Sequence, residues 1–126
     1  MPAFSRRAFV AATLLVATVS VMYAQGGRSG TARGLVYRVQ NNLRRAERFT
    51  RPSGKEKERY FNAQRHLSQF DRRLSQGRFD KDKLDEAIDD VKNVVENNTL
   101  SPADRDVLTG DLGQLRELRR TRGAGY

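Results

Sequence analysis

The sequence predicts an all-α protein: a small up-down bundle of four helices, or of three long helices and one broken one, preceded by a signal peptide. Apolar residues recur at three- and four-residue intervals in four separate segments. Between residues 31 and 119 no stretch alternates polar and apolar side chains over the length of a strand. The segments are joined by short connections, which favour antiparallel neighbours.

The first helix is predicted from about Thr31 to Thr50. Its apolar side is formed by Leu35, Val36, Val39, Leu43, Ala46 and Phe49. Pro52 cannot extend a helix and biases Arg51 away from helical dihedral angles. We therefore expect a tight connection through Pro52, Ser53 and Gly54.

The second helix is predicted to begin with a capping box, in which Ser53 and Glu56 each bind a backbone N–H of the first turn. One regular stripe of apolar residues follows, made of Tyr60, Ala63, Leu67, Phe70 and Leu74. Gly77 can end this helix because glycine readily adopts left-handed dihedral angles.

The third helix is expected to start after Asp80 as the N-cap, with Phe79 packing on Leu84 as a hydrophobic staple. Its buried side is predicted to comprise Leu84, Ala87, Ile88, Val91, Val94 and Val95.

The fourth helix is indicated by Ser101 as the cap, Pro102 in the first turn and the early carboxylate of Asp104. Its apolar face is predicted to comprise Val107, Leu108, Leu112, Leu115 and Leu118. Gly110 and Gly113 weaken a helix, so we expect this one to fray or break near them unless close packing requires small residues.

The N-terminus has the pattern of an export signal. Arg6 and Arg7 precede an apolar run from residue 10 to residue 23, which is too short for a stable membrane span. Cleavage before Gln25 would remove residues 1–24. The remaining chain is then a flexible lead over 25–30, a bundle domain over 31–119 and a flexible tail over 120–126.

The order Ser5-Arg6-Arg7-Ala8-Phe9 resembles the bacterial twin-arginine export signal, although general secretion stays open as the route. The chain contains no cysteine, which excludes disulfides, thiolate catalysis and cysteine-ligated metals. Together these features predict a periplasmic or secreted bacterial protein.

Charge is distributed unevenly along the chain. Residues 25–79 carry 14 basic and 4 acidic side chains, whereas residues 80–111 carry 4 and 10. One interpretation is that the acidic third helix packs against basic neighbours and so sets the register. The other is an anion-binding surface, because arginine donates paired hydrogen bonds to phosphate or carboxylate. Its candidate residues are Tyr37, Arg44, Arg48, Arg51, Arg65, Arg72 and Arg73.

Catalytic and metal-binding patterns are not recognisable. His66 is the single histidine, and we expect it to be a partly exposed residue at the edge of the apolar stripe of the second helix. The carboxylates after Asp80 fail the calcium-loop pattern, since Leu84, Asp85 and Val91 occupy the third ligand, glycine and final glutamate positions. We therefore expect a non-enzymatic protein without a cofactor or metal.

These observations favour an exported binding module whose basic surface contacts an anionic envelope component or another protein. Binding of nucleic acid or another polyanion is an alternative that the sequence pI of about 10.6 allows, but export would separate the protein from DNA. A small, basic, exported helical protein is also similar in outline to the periplasmic Spy-type chaperones, which implies binding of unfolded clients. Their Leu-Thr-x-x-Gln motif is not matched at Leu100-Ser101 or Leu108-Thr109.

Overall fold

The computed structural model describes residues 29–121, which form four α-helices and, within that range, no strand. The helices are α1 (Ser29–Thr50), α2 (Gly54–Ser75), α3 (Lys81–Asn97) and α4 (Pro102–Thr121). The predicted all-α four-helix bundle is confirmed. The predicted signal peptide at 1–24 lies outside the described residues, as do most of the lead and the end of the tail.

Each helix packs against two neighbours, so that the bundle closes as a ring in the order α1, α2, α3, α4 and back to α1. Across the described part of the chain, α1 does not contact α3 and α2 does not contact α4, which places each of these pairs on a diagonal. The connections 51–53, 76–80 and 98–101 are short, and consecutive helices run antiparallel. The most extensive packing is between α2 and α3.

One apolar core lies between the four helices. It contains nearly all the apolar residues that the periodicity assigned to it, with Leu74, Phe79, Val95, Leu100 and Leu118 partly buried at its margin. The largest side chains that are fully enclosed include Tyr60, Phe70, Leu43, Leu67, Leu84, Leu108 and Leu115.

Two residues predicted for the core are exposed instead. Phe49 is 72% exposed, because the buried stripe of α1 continues from Ala46 to the half-buried Thr50 and leaves Phe49 beside it. The hydroxyl of Thr50 donates a hydrogen bond to the carbonyl oxygen of Ala46. Val107 lies at the edge of the α4 stripe and is 36% exposed.

The local signals at helix ends are largely confirmed. The carboxylate of Asp80 accepts a hydrogen bond from the N–H of Lys83, at 3.1 Å, and the hydroxyl oxygen of Ser101 accepts one from Asp104 at the same distance. Gly77 has φ +79°, and its N–H donates to the carbonyl oxygen of Leu74. This C-terminal cap ends α2.

The predicted capping box of α2 does not form. Ser53 has extended N-cap dihedral angles, but its side chain makes no capping hydrogen bond. The carboxylate of Glu56 instead accepts from the N–H and the hydroxyl of Thr99, at 3.2 and 3.1 Å. Glu56 therefore binds the α3–α4 connection instead of capping the first turn of its own helix. The turn before α2 is sharp, since Arg51 and Gly54 have φ +49° and +57°.

Helix α4 is continuous through Gly110 and Gly113, so the expected break does not occur. A Cβ atom at either glycine would meet no atom within 4 Å, which shows that close packing does not require the small residues. The helix is held instead by Leu108, Leu112 and Leu115, whose burial outweighs the low helix propensity of two glycines.

Phe79 packs at the margin of the core before α3. Its ring meets that of Phe70 edge to face, with centroids 5.5 Å apart. The residue predicted as a staple thus joins the end of α2 to the start of α3.

Candidate anion-binding face

The candidate residues of α1 lie on its outer side. Tyr37, Arg44 and Arg48 are separated by 7 and 4 positions, which at 3.6 residues per turn keeps them on one side of the helix, and Arg51 follows directly after the end of the helix. All four are exposed, and Tyr37 is 65% exposed. The buried residues of α1 occupy the opposite side.

Helix α2 contributes Arg65 and Arg72, which are exposed and separated by two turns on the side opposite its buried stripe. Phe61 lies on the same outer side of α2, four residues before Arg65, and is 64% exposed. Phe61 was not among the residues predicted for the anion-binding surface. Its position outside the apolar stripe of α2 was the available signal.

Polar contacts fix α1 against α2. The Gln40 side chain donates to the hydroxyl of Ser68 at 3.0 Å, and the Gln64 side chain donates to the Gln40 carbonyl oxygen at 3.0 Å. Arg33 binds both carboxylate oxygens of Asp71, at 2.9 and 3.1 Å.

These contacts set which residues on the outer sides of the two helices lie at the same level. Tyr37 lies at a level between Arg65 and Arg72, and Arg44 lies close to the level of Phe61. The resulting surface is called the basic face, and its residues are Tyr37, Arg44, Arg48, Arg51, Phe61, Arg65 and Arg72.

The arginines of the basic face are not neutralised by the fold. Within residues 29–121, no ion pair involves any of them, and Arg44 donates only to the neutral side chain of Asn41, at 2.9 Å. Most arginines turned toward a neighbouring helix find carboxylates, while Arg59 and Arg105 bind amide or backbone oxygens. The carboxylate pairs are Arg33–Asp71, Arg38–Asp111, Arg45–Asp104 and Arg119–Asp85.

Arg73, the remaining candidate, does not belong to the basic face. It is half-buried on the side of α2 that faces α3, and its Nε atom lies 3.4 Å from a carboxylate oxygen of Asp80. A step of one residue turns a side chain by about 100° around a helix, so Arg72 points outward and Arg73 does not.

Glu58 and Glu47 are carboxylates near the basic face. Glu58 is exposed on the outer side of α2, and Glu47 is half-buried on the side of α1 that faces α2. In the part of the chain described, neither forms an ion pair with the arginines of the face. Basic side chains therefore outnumber acidic ones on this surface.

The opposite corner of the bundle is acidic. Asp82, Asp89 and Glu96 recur every seven residues on the outer side of α3, and all three are exposed. This acidic stripe lies on the helix diagonal to α1. The two outer surfaces of the bundle thus differ in the sign of their charge.

The inner carboxylates of α3 support the interpretation that charge sets the register. Asp85 pairs with Arg119 of α4, and the guanidinium lowers the pKa of Asp85, against a smaller effect of desolvation. His66 of α2 lies between Asp90, which contacts its Nδ1 atom, and Glu86, whose oxygen is 3.3 Å from its Nε2 atom. The expected boundary position of His66 is correct, but its two carboxylate partners were not anticipated.

A shallow cleft of about 450 Å³ lies at the end of the basic face, beside the α1–α2 turn. Its wall includes Arg51, Lys55 and the engaged carboxylate of Glu56. Across residues 29–121, no group of three or more histidine, aspartate or glutamate side chains is placed to hold a metal ion. The exposed guanidinium groups and aromatic rings of the basic face can form ion pairs and aromatic contacts.

Comparisons with protein-family models, with curated proteins and with solved structures give no match. None of the described helices is long and apolar enough to cross a membrane.

Proposed function

We propose that this protein is an exported, non-enzymatic binding module that uses the basic face to hold an anionic partner. The observation that carries the proposal is the contrast between two sets of arginines. Those between helices are paired with carboxylates or, at Arg59 and Arg105, with amide and backbone oxygens. Those on the basic face are exposed and have no ion pair among the described residues.

An unpaired guanidinium suits an anionic partner because its N–H groups bind two oxygens of a phosphate or carboxylate at once. Several such groups on a face formed by two packed helices act together, and little of their attraction is lost to internal salt bridges. Since the arginines are in solvent, added salt should weaken the attraction strongly.

Retention on heparin, a polyanionic matrix, tests this proposal. The purified protein should bind at low salt and elute at moderate salt. A triple variant with Arg44, Arg65 and Arg72 changed to glutamine should elute much earlier, because it lacks three charges of the face.

The matched control changes Lys81, Lys92 and Arg116 to glutamine. These residues are exposed, have no ion pair in the described structure and lie on α3 and α4, away from the basic face. Both triple variants have the same net charge. If they elute together, total charge explains retention and the basic face is not a binding site.

Export is the other part of the proposal, and it is supported by Arg6 and Arg7 ahead of the apolar run over 10–23. N-terminal sequencing of protein purified from its native cells should find Gln25 first. An intact N-terminus beginning at residue 1 would contradict export with cleavage.

A further inference from the structure

We infer that the anionic partner of the basic face is the surface of a phospholipid bilayer, with Tyr37 and Phe61 entering its interfacial region. This inference rests on the proposed function, because it names the partner of the same face. The folded helices α1 and α2 attach to the surface of the bilayer and do not cross it.

Exposed aromatic rings among the arginines favour a lipid surface over a purely ionic partner. Tyr37 and Phe61 are 65% and 64% exposed; Tyr37 lies at a level between Arg65 and Arg72, and Phe61 lies close to the level of Arg44. A hydrophilic polyanion would leave both rings in water. The headgroup region of a bilayer accepts arginine at its phosphates and aromatic rings at its acyl boundary.

The shape of the face also fits an extended surface. Helices α1 and α2 each have 22 residues, so each is about 33 Å long, and they lie side by side. The candidate arginines extend from Arg72 near one end to Arg51 at the other. A bilayer can contact this whole length at once, whereas a small anion can contact only one or two of the arginines.

The charge on the helix diagonal to α1 favours docking by the basic face. The acidic stripe of Asp82, Asp89 and Glu96 lies on the helix diagonal to α1, so an anionic bilayer repels that side while it attracts the basic face. Docking by the basic face carries the acidic stripe away from the lipid.

Sedimentation with lipid vesicles tests the inference. The purified protein should sediment with vesicles of phosphatidylcholine mixed with phosphatidylglycerol, and not with phosphatidylcholine alone. The Arg44→Gln, Arg65→Gln double variant should bind about 25-fold more weakly, since one basic residue near an anionic surface changes affinity about fivefold. The Lys81→Gln, Lys92→Gln double variant is the matched control and should bind like the parent protein.

The aromatic contribution has its own pair of variants. Phe61→Ser should weaken vesicle binding about tenfold, because the apolar contact with the acyl boundary is lost. Phe49→Ser is the control: Phe49 is 72% exposed but lies outside the basic face. Both rings are in solvent, so neither change should disturb the fold, and all variants begin at Gln25, the N-terminus expected after cleavage.

Three results would overturn the inference. They are equal binding by the Arg44, Arg65 variant and its control, equal binding by the Phe61 and Phe49 variants, or sedimentation with both vesicle types alike. Retention on heparin without sedimentation on anionic vesicles would overturn the lipid inference and leave the proposed function standing. Loss of both would overturn both.

Discussion

At the scale of single residues, Asn98 joins three helices at one end of the bundle. It is only 4% exposed, its amide donates to the carbonyl oxygen of Glu56 at 3.0 Å, and its side-chain oxygen accepts from Arg59 at 3.0 Å. Its own carbonyl oxygen faces Arg105 of α4. A buried amide with both ends paired fixes the positions of its neighbours.

Asn98→Ala should therefore destabilise the protein. The change removes the hydrogen bonds of the buried amide to the Glu56 carbonyl and from Arg59, which costs about 1 to 3 kcal/mol in the free energy of unfolding. Urea denaturation measures the difference. Asn97→Ala, at the exposed neighbouring position, should cost less than about 0.5 kcal/mol. Equal effects would show that the buried contacts of Asn98 are unimportant.

Tyr60, unlike Asn98, has a buried polar group without a hydrogen bond. Its side chain is completely buried, and its hydroxyl lies near Thr50 and Asn98 without forming a hydrogen bond with either. Burial raises the pKa of Tyr60, while those two side chains oppose the shift. A phenol whose pKa is higher in the folded state stabilises the fold below its unfolded pKa, and that stability is lost as pH rises through the folded value.

Tyr60→Phe should leave stability at neutral pH unchanged or raise it by about 1 kcal/mol, because an unpaired buried hydroxyl is removed. Alkaline unfolding of the variant should also require a higher pH than that of the parent. The parent loses stability above about pH 10, where the phenol of the unfolded chain ionises, and the variant has no phenol at this position. Thermal melts across a pH series measure both effects. A loss of more than about 1 kcal/mol at neutral pH would show that the hydroxyl is well bonded.

At the scale of elements, α4 keeps its helical form despite two interior glycines. Both lie in open space, so a methyl group can be added without a clash. Gly110→Ala and Gly113→Ala should each raise stability by about 0.5 to 1 kcal/mol, because alanine favours the helix. The control is Gly77→Ala, which should destabilise since φ there is +79°. Chemical denaturation of the three variants gives the comparison.

The ion pair between Asp85 of α3 and Arg119 of α4 makes stability depend on pH in the acidic range. The folded pKa of Asp85 is lowered by Arg119, so this pair stabilises the bundle above the unfolded pKa of aspartate and loses its effect as pH falls through the folded value. Asp85 is 39% exposed, so solvent screening keeps the effect small.

Asp85→Asn should consequently lower stability at neutral pH by less than about 1 kcal/mol, and its difference from the parent should shrink below about pH 4. Asp89→Asn provides the control, because Asp89 is exposed in the middle of α3 and has no ion pair in the described region. A difference between parent and Asp85→Asn that persists undiminished at pH 2 to 3 would contradict the assignment.

The helices and most of their ends were predictable because their signals are local. The caps at Asp80 and Ser101 need only residues of the same turn, and each buried stripe needs only its own spacing. The engagement of Glu56 by Thr99 and the position of His66 between Asp90 and Glu86 depend on which helices become neighbours. The basic face also depends on which helices are neighbours. Helical spacing predicts that Arg72 points outward, but it does not show that Arg73 lies beside the carboxylate of Asp80.

At the scale of the whole molecule, the basic face places like charges together at the C-terminal end of α1. Arg48 follows Arg44 by four residues on the helix, and Arg51 lies just beyond its end. Arg48 is also in the last turn of α1, where a cation interacts favourably with the helix dipole. Because the two effects oppose each other, Arg48→Gln should change stability by less than about 0.5 kcal/mol at low salt, but it should weaken retention on heparin. Lys92→Gln, whose neighbours Asp89 and Glu96 are acidic, should weaken retention less. Equal retention of the two variants would show that Arg48 does not contribute to the basic face.

The diagonal placement of the basic face and the acidic stripe gives the folded protein an electric dipole across its short axis. A body with such a dipole rotates in the field of a charged surface before it arrives there. More collisions would then begin with α1 and α2 in front, and the rate of productive encounters would exceed that of a molecule with the same net charge spread evenly. Neutralising Asp82, Asp89 and Glu96 would increase the net positive charge and at the same time remove part of the torque that orients it.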